Sequence, residues 1–265
     1  MNKVLISCVL AVNKMDNFLP IAIDSILNQS YKNFELIIIA NNCADELWNY
    51  LLELKETDSR IIIRRTTIGQ LVFNLNYGID IANGKYIARM DADDISLPDR
   101  FAKQLAYLEE NEQVNMLATN FSRVDESGNY IAREVVKTFT NSQIRLALKK
   151  YNPMAHPSLM FRKSDMLKNR GYAWSMWAED YEYHLRCSRD NNYTFHCLED
   201  VLLLYRISSS QMTANNNSLI SYADECALLF REFIITNNLK YLLRIIRLNR
   251  SARRIFRLFR SVFGR

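Results

Sequence analysis

Three carboxylates crowd into four residues of the stretch KYIARMDADDISLPDR (85–100): Asp91, Asp93 and Asp94. Like charges at such spacing repel, so water or a cation must offset them. A D-x-D on a loop suits Mg²⁺ or Mn²⁺, which prefer carboxylate oxygen and keep open positions for the phosphate oxygens of a ligand. Asp91 and Asp93 can share one cation, or one can hold the cation while the other accepts from a ribose hydroxyl. The alternative is a solvated turn in which Asp94 or Ser96 caps the next helix. A second acidic pair, Glu179 and Asp180, opens the helical segment of WAEDYEYHLR. The helix macrodipole favours anions there and holds a carboxylate ionised, ready to act as general base. Plain N-terminal charge preference accounts for the same pair without any chemistry. Trp174 and Trp177 lie just upstream, and their flat faces suit a sugar ring as readily as a core.

These groups need a scaffold, and the first ninety residues supply one. Continuous apolar runs at 4–12, 34–40, 60–65 and 85–90 read as strands. Segments 17–30, 44–56 and 69–83 have apolar residues at helical spacing. Unbroken Ile/Val/Leu strands alternating with amphipathic helices indicate a parallel sheet covered on both faces, and right-handed crossovers make it doubly wound. Ligands of such sheets bind beyond the carboxyl ends of the strands. That rule places residues 11–14, 40–45, 65–68 and 91–94 on one rim, the acidic cluster among them. After Pro98 the pattern predicts a helix at 99–111, a strand at 115–125, a turn at 125–129, a strand over HPSLMFR (156–162), a helix at 178–190 and a closing strand at 201–207. TANNNS (213–218) is the best hinge candidate.

Length and composition suit one compact α/β body: 265 residues, 49% hydrophobic and 24% charged. No apolar run approaches the roughly 20 residues of a spanning helix, and the N-terminal run has strand length rather than the form of a secretory signal. Five scattered cysteines without a C-x-x-C pair fit reduced cytosolic thiols, and the three histidines show no metal-ligand spacing. The net charge of +5 conceals an asymmetry, because residues 240–265 hold nine Lys/Arg and no Asp/Glu, which leaves the preceding chain at −4. Basic residues at 240, 244, 247, 250, 253, 254, 257 and 260 alternate with apolar ones at three- and four-residue steps. Such a helix has one apolar and one cationic face, which suits an anionic membrane surface. Packing against the body with solvated charges is the alternative. Nucleic-acid binding lacks a recognition motif, so no nucleic-acid partner is expected.

Taken together, FLPIAIDSILNQSYKNFELIII, NYGIDIANGKYIARMDADDISLPDRFAKQLAYLEEN, HPSLMFRKS and AEDYEYHLR, in that order, resemble the family-2 glycosyltransferases with the GT-A fold, in particular bacterial enzymes that build O-antigen or capsule repeat units. The resemblance spans about the first 210 residues. It implies a Rossmann-like, mostly parallel central sheet with helices on both faces, over residues 1–212. The nucleotide-binding half would be 1–95 and the acceptor-binding half 96–212, with 213–265 a helical basic tail. It implies transfer of a sugar, with inversion, from a nucleotide-diphosphate donor to a lipid-linked saccharide acceptor, by an enzyme peripheral on the inner face of the bacterial cytoplasmic membrane. By the same resemblance Asp91 lies near the ribose, Asp93 holds Mn²⁺ or Mg²⁺ with Asp91 beside it, Asp180 is the base, and Glu179 orients the acceptor, unless the two exchange roles. His156 and Trp177 fall on the acceptor side, and Arg206 near the diphosphate. Departures concern the nucleotide end. Ala11, Val12, Asn13 and Lys14 stand where relatives often read P-x-Y-N, Asn41 stands for an acid that accepts from the base, and Ser208 stands for a His. An Asn oxygen still accepts from an imide N–H, so uridine donors stay favoured. Two other classes fit parts of the pattern. A sugar nucleotidyltransferase would carry a Gly-rich loop after the first strand, which VLAVNKMDN lacks. A nucleotide-sugar binding protein without chemistry would fit Asn41 and Ser208.

Overall fold

The computed structural model describes residues 5–132, 139–173, 177–208 and 219–248. Its first half is the alternation expected from the apolar runs: β1 (Ile6–Val12), α1 (Leu19–Leu27), β2 (Phe34–Asn41), α2 (Asp45–Thr57), β3 (Ile61–Thr66), α3 (Leu71–Ile81) and β4 (Tyr86–Met90). There follow β5 (Ile95–Ser96), α4 (Arg100–Glu110), β6 (Met116–Val124), β7 (Tyr130–Ala132), α5 (Asn141–Leu148), a 3₁₀ turn (His156–Ser158), β8 (Met160–Arg162) and α6 (Lys163–Lys168). The remaining described elements are α7 (Glu179–Ser188), β9 (Phe195–Arg206), α8 (Leu219–Thr236) and α9 (Leu239–Leu248).

The described strands form one nine-stranded sheet in the order β3-β2-β1-β4-β8-β6-β9-β5, with β7 alongside β6. β3, β2, β1 and β4 are mutually parallel, while β8 runs antiparallel to both β4 and β6. Strand alternation divides the core into two layers. Ile6, Cys8, Leu10 and Val12 of β1 pack with α1, α2 and α4. Val9, Ile37, Ile39 and Ile87 pack with α3, α5 and α7 on the other face. The chain steps outward from β1 to β3, then crosses back to lay β4 on the opposite side of β1. That reversal is the switch point at which the crevice of a doubly wound sheet opens.

Two glycines permit the close packing around this switch. A Cβ at Gly78 on α3 would meet Val9 Cγ1 at 2.6 Å. A Cβ at Gly84 would meet the backbone nitrogen and Oγ of Ser7, each at 2.6 Å. Gly84 N–H donates to Ser7 Oγ (2.8 Å), which donates to the buried Glu35 carboxylate (2.5 Å), and Glu35 accepts in turn from Asn83 N–H (2.6 Å). The approach to β4 is thereby pinned to β1 and β2. Beyond β4 the buried Arg100 guanidinium donates to the carbonyls of Arg89 (2.8 Å) and Leu159 (3.2 Å). Gln29 at the end of α1 donates to Ser96 Oγ and the Leu97 carbonyl, and accepts from Phe101 N–H. The loop bearing the three aspartates is thus fixed from beneath at both ends.

Several later elements differ from their sequence readings. HPSLMFR is strand only from Met160, because Pro157 lacks an N–H and the chain turns through His156–Ser158 first. The closing strand starts at Phe195, six residues ahead of the apolar run, and register shifts opposite Thr119–Phe121 interrupt its alternation. α5 went unread although Thr140 and Gln143 form a capping box at its start. The basic segment from residue 240 begins as α9, and positions beyond 248 lie outside the described residues, as do 213–218. α8 and α9 contribute Leu228, Leu229 and Tyr241 to the core. Arg231 reaches the fully buried Glu182 of α7 (2.7 Å), and Arg189 faces the buried Glu232 of α8 (3.8 Å). Arg244 turns inward to pair with Glu225 and cover the Tyr181 ring (5.0 Å), whereas Lys240 and Arg247 are exposed. No described helix is long and apolar enough to cross a membrane.

Two of the three atoms facing Gly84, Ser7 N and Leu5 O, are backbone and cannot yield to a methyl group. Gly84→Ala is expected to lower the free energy of unfolding by about 2–3 kcal/mol. Urea denaturation of the two proteins measures the difference.

Candidate active site

At the carboxyl end of β4 the acidic loop crosses the switch point. Asp91, Asp93 and Asp94 each offer one carboxylate oxygen, and these three atoms lie within 4.8 Å of one another. Asp94 is 1% exposed; its Oδ1 accepts from Arg206 N–H (2.8 Å), and its buried Oδ2 has no hydrogen-bond partner. Burial raises the Asp94 pKa well above the usual carboxylate range, and the charges of Asp91 and Asp93 add to the effect. Neither Asp94 nor Ser96 caps α4, since Ser96 is bonded to Gln29 and Ser25 instead. The capping alternative for this cluster therefore fails. An orphaned buried oxygen beside two further carboxylates is a hard-oxygen donor set of the kind Mg²⁺ and Mn²⁺ prefer.

Two arginines hold this loop. Arg206, at the end of β9, donates from Nε to the Asp93 carbonyl (2.8 Å) and from Nη1 to the carbonyls of Asp125 (2.9 Å) and Glu126 (3.0 Å). Its guanidinium also covers the Phe18 ring at 4.4 Å. The expected cation thus reaches the acidic loop, and these bonds make it a brace on backbone carbonyls. Arg89 is buried within β4 and ion-paired with Asp91. Sequence reasoning passed over it, although a charged residue inside the otherwise apolar run YIARM was a visible signal.

The second acidic pair sits at the start of α7. Glu179 is 7% exposed, with Oε1 3.6 Å from His156 Nδ1. His156 Nε2 bonds the Tyr172 hydroxyl (2.7 Å), and Tyr172 is locked to Asn76 of α3 through both its N–H and its carbonyl. Asp180 Oδ2 accepts from Asn152 Nδ2 (2.8 Å), which leaves Asn152 Oδ1 to accept from His184 Nδ1 (3.0 Å). Both histidines are neutral groups here. Burial pushes His184 down to about 3, and burial with the Arg89 charge takes His156 well below its ordinary value. The helix terminus was expected to keep both acids ionised. Instead burial, with the neighbouring Asp180 charge, pushes Glu179 up to about 8, so desolvation outweighs the partial charges of the helix end. Burial raises Asp180 as well, opposed by the Tyr181 N–H and by Arg89. Trp177 is 39% exposed just ahead of the pair, and its backbone N–H donates to the Asp224 carboxylate of α8 (3.1 Å). Trp174 lies outside the described residues.

The rim beyond β1 and β2 carries the remaining candidates. Asn41 is buried, and its Nδ2 donates to the Val12 carbonyl (3.0 Å), so Oδ1 is the end left to accept. Ala11 is partly buried in β1 opposite Ile39, and Asn13 is exposed just past the strand. These three stand at the ends of neighbouring strands, next to the acidic loop on β4.

Comparison with known proteins identifies the family and the fold. The family described as glycosyl transferase family 2 matches residues 7–171. The O-antigen biosynthesis glycosyltransferase WbnJ of Escherichia coli is 39% identical over 245 residues, which is 90% of this chain and 94% of that protein. An uncharacterised glycosyltransferase of Methanocaldococcus jannaschii is 35% identical over 78% of this chain and 72% of its own length. Among solved structures, residues 1–349 of S. aureus TarS in complex with UDP superpose with a TM-score of 0.64 at 16% identity, over 86% of this chain and 65% of that one. The same protein with UDP-GlcNAc gives a TM-score of 0.67 at 13% identity, over 92% of this chain and 79% of that one. The chain belongs to glycosyl transferase family 2 and has the GT-A fold that its sequence motifs implied.

The raised Glu179 pKa has a stability consequence. A carboxyl that titrates near 8 when folded and near 4.5 when unfolded keeps its proton in the native state alone across that window. Its contribution is full below about pH 4.5 and is lost as the pH rises through 8. Glu179→Gln should therefore be more stable relative to the parent at pH 8.5 than at pH 5. Urea midpoints at the two pH values check this, and a constant difference would contradict it.

Proposed function

We propose that this glycosyltransferase is metal-dependent and inverting. It would move a sugar from a nucleotide-diphosphate donor, with UDP-sugars favoured, to a lipid-linked saccharide in surface polysaccharide biosynthesis. The observation that carries the reading is the division of acids between the end of β4 and the start of α7. Asp91, Asp93 and Asp94 cluster after β4, while Asp180, oriented by Asn152, opens α7. Asp93 and Asp91 would hold Mn²⁺ or Mg²⁺, with the orphaned Asp94 Oδ2 alongside. Such a cation supplies neutralisation of the charge on a departing nucleoside diphosphate. Asp180 takes the proton of the acceptor hydroxyl as that oxygen attacks the anomeric carbon. Glu179, protonated near neutral pH, and His156 orient the acceptor, and Trp177 offers an exposed ring beside them. One base and one displacement give inversion without a covalent intermediate.

Asn41 supports the choice of donor. With Nδ2 engaged by Val12, its oxygen is matched to a ring N–H, which uracil presents and cytosine does not. The UDP and UDP-GlcNAc bound to the TarS structures point the same way. The name of WbnJ supports O-antigen as the setting, and an amylovoran biosynthesis glycosyltransferase of Erwinia amylovora, 30% identical over 52% of this chain and 51% of its own length, supports surface polysaccharide more widely. For the acceptor's lipid, α9 exposes Leu239, Leu243 and Ile246 beside Lys240 and Arg247. The sequence continues with further basic residues to 260. That surface supports the proposed attachment to the inner face of the cytoplasmic membrane.

Nucleotide release is to be measured across common nucleotide sugars with Mn²⁺ present. UDP-sugars should score, Asp93→Asn should lose activity by at least about a hundredfold, and Asp180→Asn should keep donor binding while losing roughly 10²–10⁴ in transfer. Full turnover by Asp93→Asn with Mn²⁺ would overturn the metal assignment. A chain ending at residue 248 keeps Tyr241 in the core and should bind anionic vesicles more weakly than the full chain. Equal binding in a flotation assay would remove the membrane role of the last residues.

A further inference from the structure

α8 is amphipathic in the reverse sense. A helix on the surface of a globular body ordinarily buries its apolar stripe and turns its charges to water. Every charged residue of α8 instead has a partner within the body. Asp224 accepts from the Trp177 backbone N–H (3.1 Å), and Glu225 pairs with Arg244 of α9. Arg231 reaches the buried Glu182 of α7 (2.7 Å), and the fully buried Glu232 faces Arg189 (3.8 Å). The outer positions are 220, 223, 227, 230 and 234, at alternating three- and four-residue steps, so they form one stripe. They read Ile, Ala, Ala, Phe and Ile, with Ile220 66%, Phe230 54% and Ile234 64% exposed. At 1.5 Å per residue the stripe is about 21 Å long. Past the turn at Asn237 (φ 52°), α9 packs beside α8 and adds Leu239, Leu243 and Ile246, exposed at four- and three-residue steps. Exposed apolar surface of this extent marks a place of contact with another apolar phase.

The charges at its edge indicate what covers it. Lys240 and Arg247 are exposed, each one position beyond a member of the α9 stripe. The sequence continues with basic residues at 250, 253, 254, 257 and 260 and no acid. A pair of identical copies through this face would supply the same cations twice, with the acids of α8 already engaged inward. Anionic headgroups complement those cations, and acyl chains receive the stripe. We propose that the outer face of α8, together with that of α9, rests in the apolar boundary of an anionic bilayer. The inference extends the membrane attachment proposed above, on which it rests, from the cationic tail to an apolar surface of the folded body. α7 lies directly beneath α8, bound to it through Glu182 and Arg231. The helix that opens with Glu179 and Asp180 is then about one helix diameter, roughly 10 Å, from the lipid in which a lipid-linked acceptor resides.

The test is flotation of the full chain with phosphatidylcholine–phosphatidylglycerol vesicles, at low salt and at about 1 M salt, where the Debye length is about 3 Å. Charge attraction is screened at the higher salt and apolar insertion is not, so part of the parent's binding should survive there. Phe230→Ser with Ile234→Ser should lower the surviving part at least about tenfold. Urea midpoints should match the parent's, because both side chains are already exposed. Ile220→Ser with Leu243→Ser, away from the Phe230–Phe233 ring contact (6.3 Å), should do the same. Loss of all the parent's binding at 1 M salt would leave attachment to the cationic tail and overturn the role of α8. Serine variants that float like the parent at 1 M salt would overturn it too. Among those, a lowered urea midpoint would assign the stripe to a cover from the chain's own last residues. A parent dimer that the serine variants dissociate in sedimentation, with flotation unchanged, would assign it to a second copy. A parent that floats at neither salt would remove the membrane reading itself.

Discussion

Five carboxyl groups, three just after β4 and two at the start of α7, act on one another electrostatically, and their mutual repulsion is the constraint around which this half of the molecule is arranged. Water is largely excluded from Asp94 and Glu179, so it cannot screen them. The fold meets the repulsion in three ways. It inserts the charge of Arg89 from within a strand. It braces the loop backbone with Arg206 and Arg100, whose guanidiniums bind carbonyls. It lets the most buried acids hold their protons. Each device depends on another part of the sheet being in place, because the bracing residues come from β9, α4 and β4. The shape of the acidic loop therefore requires the complete sheet, although the acids themselves span four residues.

The two acidic pairs make different use of burial. At the β4 rim the carboxylates stay close together with an oxygen left over, an arrangement that favours a divalent cation over any single side chain. At the α7 rim the acids are separated by their partners. Glu179 turns to a neutral histidine, and Asp180 to an amide whose orientation is set by a second neutral histidine. Adjacent carboxyl groups in different surroundings acquire different affinities for protons, and the proposed division into a base and an orienting acid rests on that difference. The helix terminus contributes, but its partial charges are small beside the cost of desolvation.

What could be read from the chain followed from locality. β1 to β4 and their helices are specified by continuous apolar runs and by three- and four-residue spacing, so their order and the switch point were legible. The acids at 91, 93, 179 and 180 were visible as charged residues at the ends of those elements. Arg89 was visible as an anomaly, but its meaning requires knowing that β4 lies next to β8 and beneath α7. The ionisation of Glu179 was not legible at all, because desolvation depends on atoms distant in the chain. The Arg206 brace was hidden for the same reason, since its acceptors lie about 80 and 113 positions earlier. α8 carries an Arg–Glu pair that looks like a solvated face, yet Glu232 is fully buried against residues of α7.

That last case changes how the C-terminal segment relates to the site. Composition sets the basic tail apart from the mildly acidic body, which suggests an appendage. Packing ties its first two helices into the body. Arg231 and Arg186 both reach Glu182, one turn beyond Glu179 and Asp180, and Asp224 holds the N–H of Trp177 just before them. α8 is therefore part of the support of α7: displacing it would take Arg231 from Glu182, leaving Arg186 as that carboxylate's partner, and would separate Glu232 from Arg189. The exposed apolar side chains of α9 ride on the same support. A surface that binds them contacts a segment packed, through α8, on the helix that opens with the acidic pair.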